Sequence, residues 1–333
     1  MRATVKDVAA LAGVSPKTVS NVVNGQVTVS EHTRQKVELA MAELDYVPNL
    51  SARGLRNGRS GVIGLALPDL GTPYSAEIAH HVVEVAHAQG WGVQIEETGL
   101  DPQREFELMS KARSNMIDGL ILNPVALDES AIKLPGTLPP VLLLGEVSQK
   151  IVDRVWVDSV AAARDMTLAL AAGGRRRIAV LGANRGRRSA TAALRSRGYR
   201  EALAELGIVH DPRLEIACDD WTPQGSYQAL QAFLTVNELP DAIFCFTDSL
   251  AIGALSLLSQ SGYRIPADVA VSGFDDIADG RFAVPPLTTV SFDKRAFAEN
   301  ALKLLTERMA DRRRAPVDLA LPYRIVLRAS TGN

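Results

Sequence analysis

"GVSPKTVSNVVNG", Gly13 to Gly25, lies near the start of a chain of 333 residues with a formal net charge of -2. Ser15 suits an N-cap, and Pro16 suits the first helical position, where its missing N–H costs nothing. Val19, Val22 and Val23 then form an apolar stripe, and Asn24-Gly25 stops the helix. Upstream, Thr4 with Asp7 three residues on makes a capping-box variant, and Val5, Val8, Ala9 and Ala12 share one face. Gly13 supplies the left-handed turn between the two helices. Downstream, Ser30 caps a third helix whose Val37, Met41 and Leu44 face inward. A small residue where helices cross (Ala9), a glycine where the chain reverses and an aliphatic closing the miniature core (Val19) predict a helix-turn-helix. The bland alternative is an ordinary helical hairpin.

In a helix-turn-helix the start of the second helix enters the major groove. Here that start carries Pro16, Lys17, Thr18, Ser20 and Asn21. Lys17 can donate to guanine O6/N7 and Asn21 can pair with adenine N6/N7. Ser15 and Thr18 are better placed for phosphates. Charge is divided accordingly: residues 1–60 hold eight Lys/Arg and five Asp/Glu, a net +3 that leaves the remainder at -5. A basic head on an acidic body suggests that the head alone meets a polyanion.

"PNLSARGLRNGRS" (Pro48–Ser60) follows, with a short helical core from Leu50 to Arg56. A helix this short is marginal in water, and Gly54 costs it about 1 kcal/mol more. It reads either as a flexible linker or as a segment that folds on DNA. In the second case Arg53, Arg56 and Arg59 neutralise phosphates, and Leu55 wedges between minor-groove base pairs.

From residue 61 strands and helices alternate. "GVIGLALP", "GVQIEET", "DGLILNPV" and "PVLLLGE" form one series; "RIAVLGA" (Arg177–Ala183), "RLEIACD", "DAIFCFTD" and "DVAVSGFDD" form a second. Continuous apolar strands imply burial on both faces, and two βα series imply two doubly wound lobes. Ligands of such sheets bind beyond the carboxyl ends of strands. Those loops carry Asp69, Tyr74, Asn123, Glu146, Asp158, Arg195, Trp221, Thr247, Asp248, Asp275 and Asp276. Carboxylates, an arginine and aromatics suit a polyhydroxylated ring, because charged groups bond hydroxyls and aromatic faces cover C–H surfaces. Several have bland alternatives: Asp158, Asp248 and Asp276 as helix caps, Trp221 and Tyr74 as core.

At 47% hydrophobic and 22% charged residues, the composition is that of a soluble globular protein. The N-terminus lacks an apolar signal region, and no apolar run reaches membrane-spanning length, so the expected location is cytoplasmic, with no membrane partner. Cys218 and Cys245 have neither disulfide nor zinc spacing. His80, Glu84 and His87 make a faint metal pattern that solvated helix positions explain better. No nucleotide-binding or nucleophile motif occurs, so no catalytic residue, metal or cofactor is expected. A cytoplasmic sugar-metabolising enzyme is the alternative from another class.

"TVKDVAALAGVSPKTVSNVVNG", "MAELDYVPNLSARGLR" and "GVIGLALPD" together resemble the LacI/GalR family of bacterial transcription regulators, and the similarity runs nearly end to end. The resemblance implies a helix-turn-helix head (1–47), a hinge helix (48–60) and a periplasmic-binding-protein-like body (61–333) of two Rossmann-like lobes. Three crossovers would divide the body into an N-lobe (61–158, 289–319) and a C-lobe (159–288, 320–333). The implied DNA-contacting set is Thr4, Ser15, Pro16, Lys17, Thr18, Ser20, Asn21, Asn24, Asn49, Ala52, Arg53, Leu55 and Arg56. Many members carry arginine at the place of Asn21, so a base preference is not carried over. "SATAALRSRGYREAL" resembles the ligand-arginine stretch and gives that role to Arg195; "VSGFDD" gives the ligand-aspartate role to Asp275; "CDDWTPQGS" gives ring stacking to Trp221. "FTDSLAIGAL" has Thr247 where the family usually has asparagine. The expected partners are a palindromic double-stranded operator, a second copy of the chain and a small sugar or sugar-phosphate effector. Arg185, Arg187 and Arg188 before a helix start raise the phosphorylated option. No leucine heptads end the chain, so dimers rather than tetramers are expected.

Overall fold

The computed structural model describes residues 3–23, 29–46, 60–99, 101–113, 117–124, 140–147, 150–183 and 189–332. The chain divides into two compact units, Met1–Ser60 and Gly61–Asn333. The first holds α1 (Val5–Ala12), α2 (Pro16–Val23) and α3 (Glu31–Glu43). Thr4 and Asp7 form a reciprocal capping box: Thr4 N–H donates to Asp7 Oδ2 at 2.8 Å, and Asp7 N–H donates to Thr4 Oγ1 at 3.4 Å. Gly13, at φ 66°, ends α1 in the left-handed region that disfavours a side chain. Val8, Ala9, Val19, Val22, Val37 and Ala40 form the miniature core, with Met41 and Leu44 against it. Calls on Asn24 and on the connector residues Asn49, Ala52, Arg53, Leu55, Arg56 and Arg59 lie outside the described residues.

Among the described residues, the second unit is built on two six-stranded sheets. Strands β1 (Val62–Leu67), β2 (Gly92–Glu97), β3 (Gly119–Leu122), β4 (Val141–Leu144), β5 (Asp153–Val157) and β11 (Asp318–Leu321) form the first, in order β11-β5-β4-β3-β1-β2. Strands β6 (Ile178–Ala183), β7 (Glu215–Ala217), β8 (Ala242–Cys245), β9 (Ala270–Phe274), β10 (Thr288–Phe292) and β12 (Tyr323–Val326) form the second, in order β12-β10-β9-β8-β6-β7. Among the described residues, all pairings are parallel except β10 with the edge strand β12. The apolar runs of β3, β4, β6 and β8 are wholly buried, as covering on both faces requires.

Helices α4 (Pro73–Ala88), α5 (Pro102–Arg113) and α11 (Lys294–Ala310) contact strands of the first sheet. Helices α6 (Ser159–Ala172), α7 (Ala190–Glu205), α8 (Pro223–Leu234) and α9 (Asp248–Gln260), with the short α10 (Ala278–Phe282), belong to the second lobe. The chain changes lobe three times: between β5 and α6, between β10 and α11, and between β11 and β12. The first two changes fall at Asp158 and Asp293, each of which caps the following helix.

Two expected lobe boundaries move. The family resemblance gives 289–319 to the first lobe, yet β10 lies wholly in the second sheet, paired with β9 and β12. The crossing therefore follows Phe292, and the last one lies at Pro322 between β11 and β12. Strand β5 was not expected at all. Its Asp153 is fully buried and Arg154 nearly so, which disguises a core strand as surface. Asp153 accepts from Arg308 on α11 at 2.8 and 3.0 Å and from Val317 N–H at 2.8 Å. Arg154 grips Asp318 of β11 at 2.7 and 2.9 Å. Among the described residues, no helix is long and apolar enough to cross a membrane. Both cysteines are free and buried.

Candidate nucleic-acid interface and ligand cleft

On the head, Ser15, Pro16 and Lys17 are exposed at the start of α2, and Thr18, Ser20 and Asn21 are half-buried. Ser15 Oγ accepts from Thr18 N–H at 3.1 Å, so the serine fixes the helix start. Val19 and Val22 turn inward and fix the rotation of α2, which leaves the Lys17 side outward. Thr4 is exposed and engaged in its capping box.

In the body, a charged cluster joins the two lobes. Glu146, in the turn after β4, reaches across to the second lobe. It accepts from Ser159 Oγ on α6 at 2.8 Å and from Thr191 Oγ1 on α7 at 3.0 Å. Arg195, one helical turn beyond Thr191, is 5% exposed. Its guanidinium lies 3.4 Å from the centroid of the Phe274 ring and donates to the Phe246 carbonyl and to Ser159 Oγ. Its Nη2 stands 3.4 Å from Glu146 and 4.0 Å from Asp275. Asn123 donates to the Leu144 carbonyl at 2.9 Å and so braces the turn that carries Glu146.

Asp275 follows β9 with φ 108°, and its neighbour Asp276 has φ 49°. This left-handed pair sends the two carboxylates apart. Asp276 is taken by Arg328 at 2.5 Å and by Ser291 at 2.9 Å. Asp275 stays with the cluster, and burial pushes its carboxyl up to about 7, against the pull of Arg195 and Lys294. Tyr74, in the first turn of α4, packs edge-on to Phe292 with centroids 6.5 Å apart. Burial, then the charges of Asp275 and Glu146, raise its phenol well above the ordinary value. Asp248 is fully buried and holds Thr289 Oγ1 at 2.6 Å and Ile277 N–H at 2.9 Å, and so supports the segment carrying Asp275.

Other expected site residues are engaged locally. Asp69 accepts from Gly71 N–H at 2.7 Å within its own loop. Thr247 caps α9, accepting from Leu250 N–H at 3.2 Å. Trp221 donates to the Cys218 carbonyl at 2.9 Å and sits 6.5 Å from the ring of Phe246, the residue whose carbonyl Arg195 uses. Asp158 is a helix cap, the bland alternative raised for it. Ser159, Thr191 and Phe274 went unnoticed in the sequence; Thr191 had a signal, four residues before Arg195 on one helix. Arg185, Arg187 and Arg188 lie outside the described residues. Among the described residues, no group of three His, Cys, Asp or Glu could hold a metal ion.

A helix-turn-helix head and a two-lobed α/β body with a charged inter-lobe cleft define a DNA-binding regulator of transcription. Residues 4–49 match the bacterial regulatory proteins of the lacI family, and residues 167–331 match a periplasmic binding protein-like domain. The chain is 30% identical to the HTH-type transcriptional repressor PurR of Histophilus somni, over 98% of each protein. It is 32% identical to the ribose operon repressor of Haemophilus influenzae, also over 98% of each. A crystal structure of the lac repressor dimer bound to operator and the anti-inducer ONPF is similar at a TM-score of 0.84, with 30% identity over 99% of each chain. The chain belongs to the LacI family; it is a transcription regulator and not an enzyme.

Proposed function

We propose that the chain is a homodimeric, cytoplasmic repressor of a palindromic operator, switched by an uncharged sugar-like effector held between the lobes. The observation that carries the ligand reading is the convergence of Glu146, Arg195 and Asp275 from both lobes on one buried point. Paired donors and acceptors of this kind match vicinal hydroxyls. Each cation there already has a carboxylate partner: Arg195 faces Glu146 and Asp275, and Lys294 faces Glu77 at 2.7 Å. A phosphate would find no unmatched cation among these described residues, whereas hydroxyls find both bonding partners. The name of the ribose operon repressor supports a carbohydrate theme. Calorimetry with matched sugars and sugar phosphates tests this directly. A hit among free sugars is expected, and preference for the phosphate would reassign the ligand.

Effector affinity should rise about tenfold between pH 6 and pH 8. The carboxylate is the form that accepts two hydroxyl hydrogens, and burial sets its ionisation near 7. Calorimetry across that range in buffers of different ionisation enthalpy should also show proton release on binding. A flat profile would remove Asp275 from ligand contact.

For the head, Asn21→Ala should alter base preference at one symmetric operator position by about 1–3 kcal/mol. Binding-site selection with the variant reads this out. A uniform loss over all sequences would make Asn21 a phosphate contact instead.

A further inference from the structure

Glu77 and Lys294 are charged residues beside the cleft to which no ligand contact is assigned. Glu77 lies on α4 and Lys294 begins α11, two helices packed on each other in the first lobe. Their side chains pair at 2.7 Å, and Lys294 is only 8% exposed. Each then uses its remaining capacity on the other lobe. Glu77 Oε1 accepts from Ala278 N–H at 2.8 Å. Lys294 Nζ donates to the Asp276 carbonyl at 3.0 Å. Ala278 opens the short α10, where Ile277 at the cap position supplies no side-chain acceptor. The first lobe thus supplies the missing partner from 201 residues away.

We propose that the Glu77–Lys294 pair is an inter-lobe latch that grips the backbone of residues 276–278 and thereby couples lobe closure to the position of Asp275. The pair travels with the first lobe, because α4 and α11 stay packed when the lobes separate. What separation breaks is the pair of bonds to the Asp276 carbonyl and the Ala278 N–H. These bonds are made to backbone, directly after the residue whose carboxylate faces the ligand. A ligand that draws in Asp275 therefore brings 276–278 onto the latch, and a closed latch presents Asp275 to the ligand. The two are one equilibrium, so the latch sets how much of the ligand's binding energy is needed to close the cleft. A cavity of about 550 Å³ runs alongside, lined by Glu77, His81, Lys294, Tyr323 and Arg324, and includes residues of the second and third crossovers. Glu77 and Lys294 are positioning residues; neither is assigned a ligand contact.

The inference rests on the effector-control reading, but its test needs no effector. Amide exchange at Ala278 and small-angle scattering are measured on the full-length protein in buffer. Glu77→Ala and Lys294→Met should each exchange the Ala278 amide about tenfold faster and show a larger radius of gyration. The double variant should be no more open than either single one, because the two residues form one device. Lys294→Arg keeps the charge and the donors and should stay near wild type. Unchanged exchange and scattering in both single variants would overturn the latch. So would Lys294→Arg behaving like Lys294→Met, since that would make the effect one of packing alone. Failure of every sugar to alter operator affinity would instead count against the effector reading.

Discussion

Asp275→Asn is expected to weaken effector binding about a hundredfold while leaving operator affinity in the absence of effector unchanged. The substitution keeps size and removes charge. Charge-assisted bonds to buried hydroxyls contribute about 1.5–3 kcal/mol, and an amide offers one acceptor oxygen in place of two. Stability should not fall with affinity. Asp275 is 4% exposed and its carboxyl titrates near 7 instead of at 3.8. The folded state therefore holds this proton more tightly than the unfolded one, and the group's contribution to stability declines as pH rises from about 4 to about 7. Asparagine cannot ionise and avoids that decline. Equal or higher resistance to urea at pH 8, together with lost effector response, is the expected pair of results. A normal response would move the ligand away from Asp275.

Asp153→Ala should destabilise the body by about 3–5 kcal/mol, the usual consequence of removing one partner from a buried pair. Asp153 has no exposure, and the side chain of Arg308 is 11% exposed. Without the carboxylate, that guanidinium keeps backbone carbonyls of Arg314 and Ala315 as acceptors but has no counter-charge in the described structure. Val317 N–H also loses its acceptor, so the start of β11 keeps its Arg154–Asp318 tie to β5 but loses the one through Asp153. Urea denaturation of the variant and wild type measures the difference. A loss under about 1 kcal/mol would mean that the pair is solvated and that β5 does not depend on it.

The contrast between these two aspartates shows what the sequence reveals and what it hides. The head was legible because caps, a left-handed glycine and aliphatic spacing are local, and each acts within one or two helical turns. The two series of apolar strands were legible because burial on both faces leaves uninterrupted runs. Strand β5 was hidden because Asp153 and Arg154 read as surface, and their partners Arg308 and Asp318 are 155 and 164 residues away. The lobe of β10 was misplaced because an apolar run records burial and not which sheet a strand joins. In the cleft, Arg195, Glu146 and Asp275 were recognisable as charged residues at strand or helix ends. Their helpers were not: Ser159, Glu77 and Lys294 look like ordinary polar helix positions until the fold brings the lobes together. Asp69 and Thr247 show the opposite case, polar side chains beyond strands that shape their own loops.

On the proposed function, filling the cleft and gripping the operator draw on one equilibrium. Linkage makes this measurable in both directions. Operator fragments selected from genomic DNA supply the duplex, and calorimetry supplies the sugar. The decisive measurement is the sugar's affinity for free protein and for operator-bound protein, beside the operator's affinity with and without saturating sugar. The two ratios should agree and lie at about 5–150-fold, the span of typical coupling energies. A sugar that binds the body with the same affinity whether or not the operator is present, and leaves operator affinity untouched, would contradict the account.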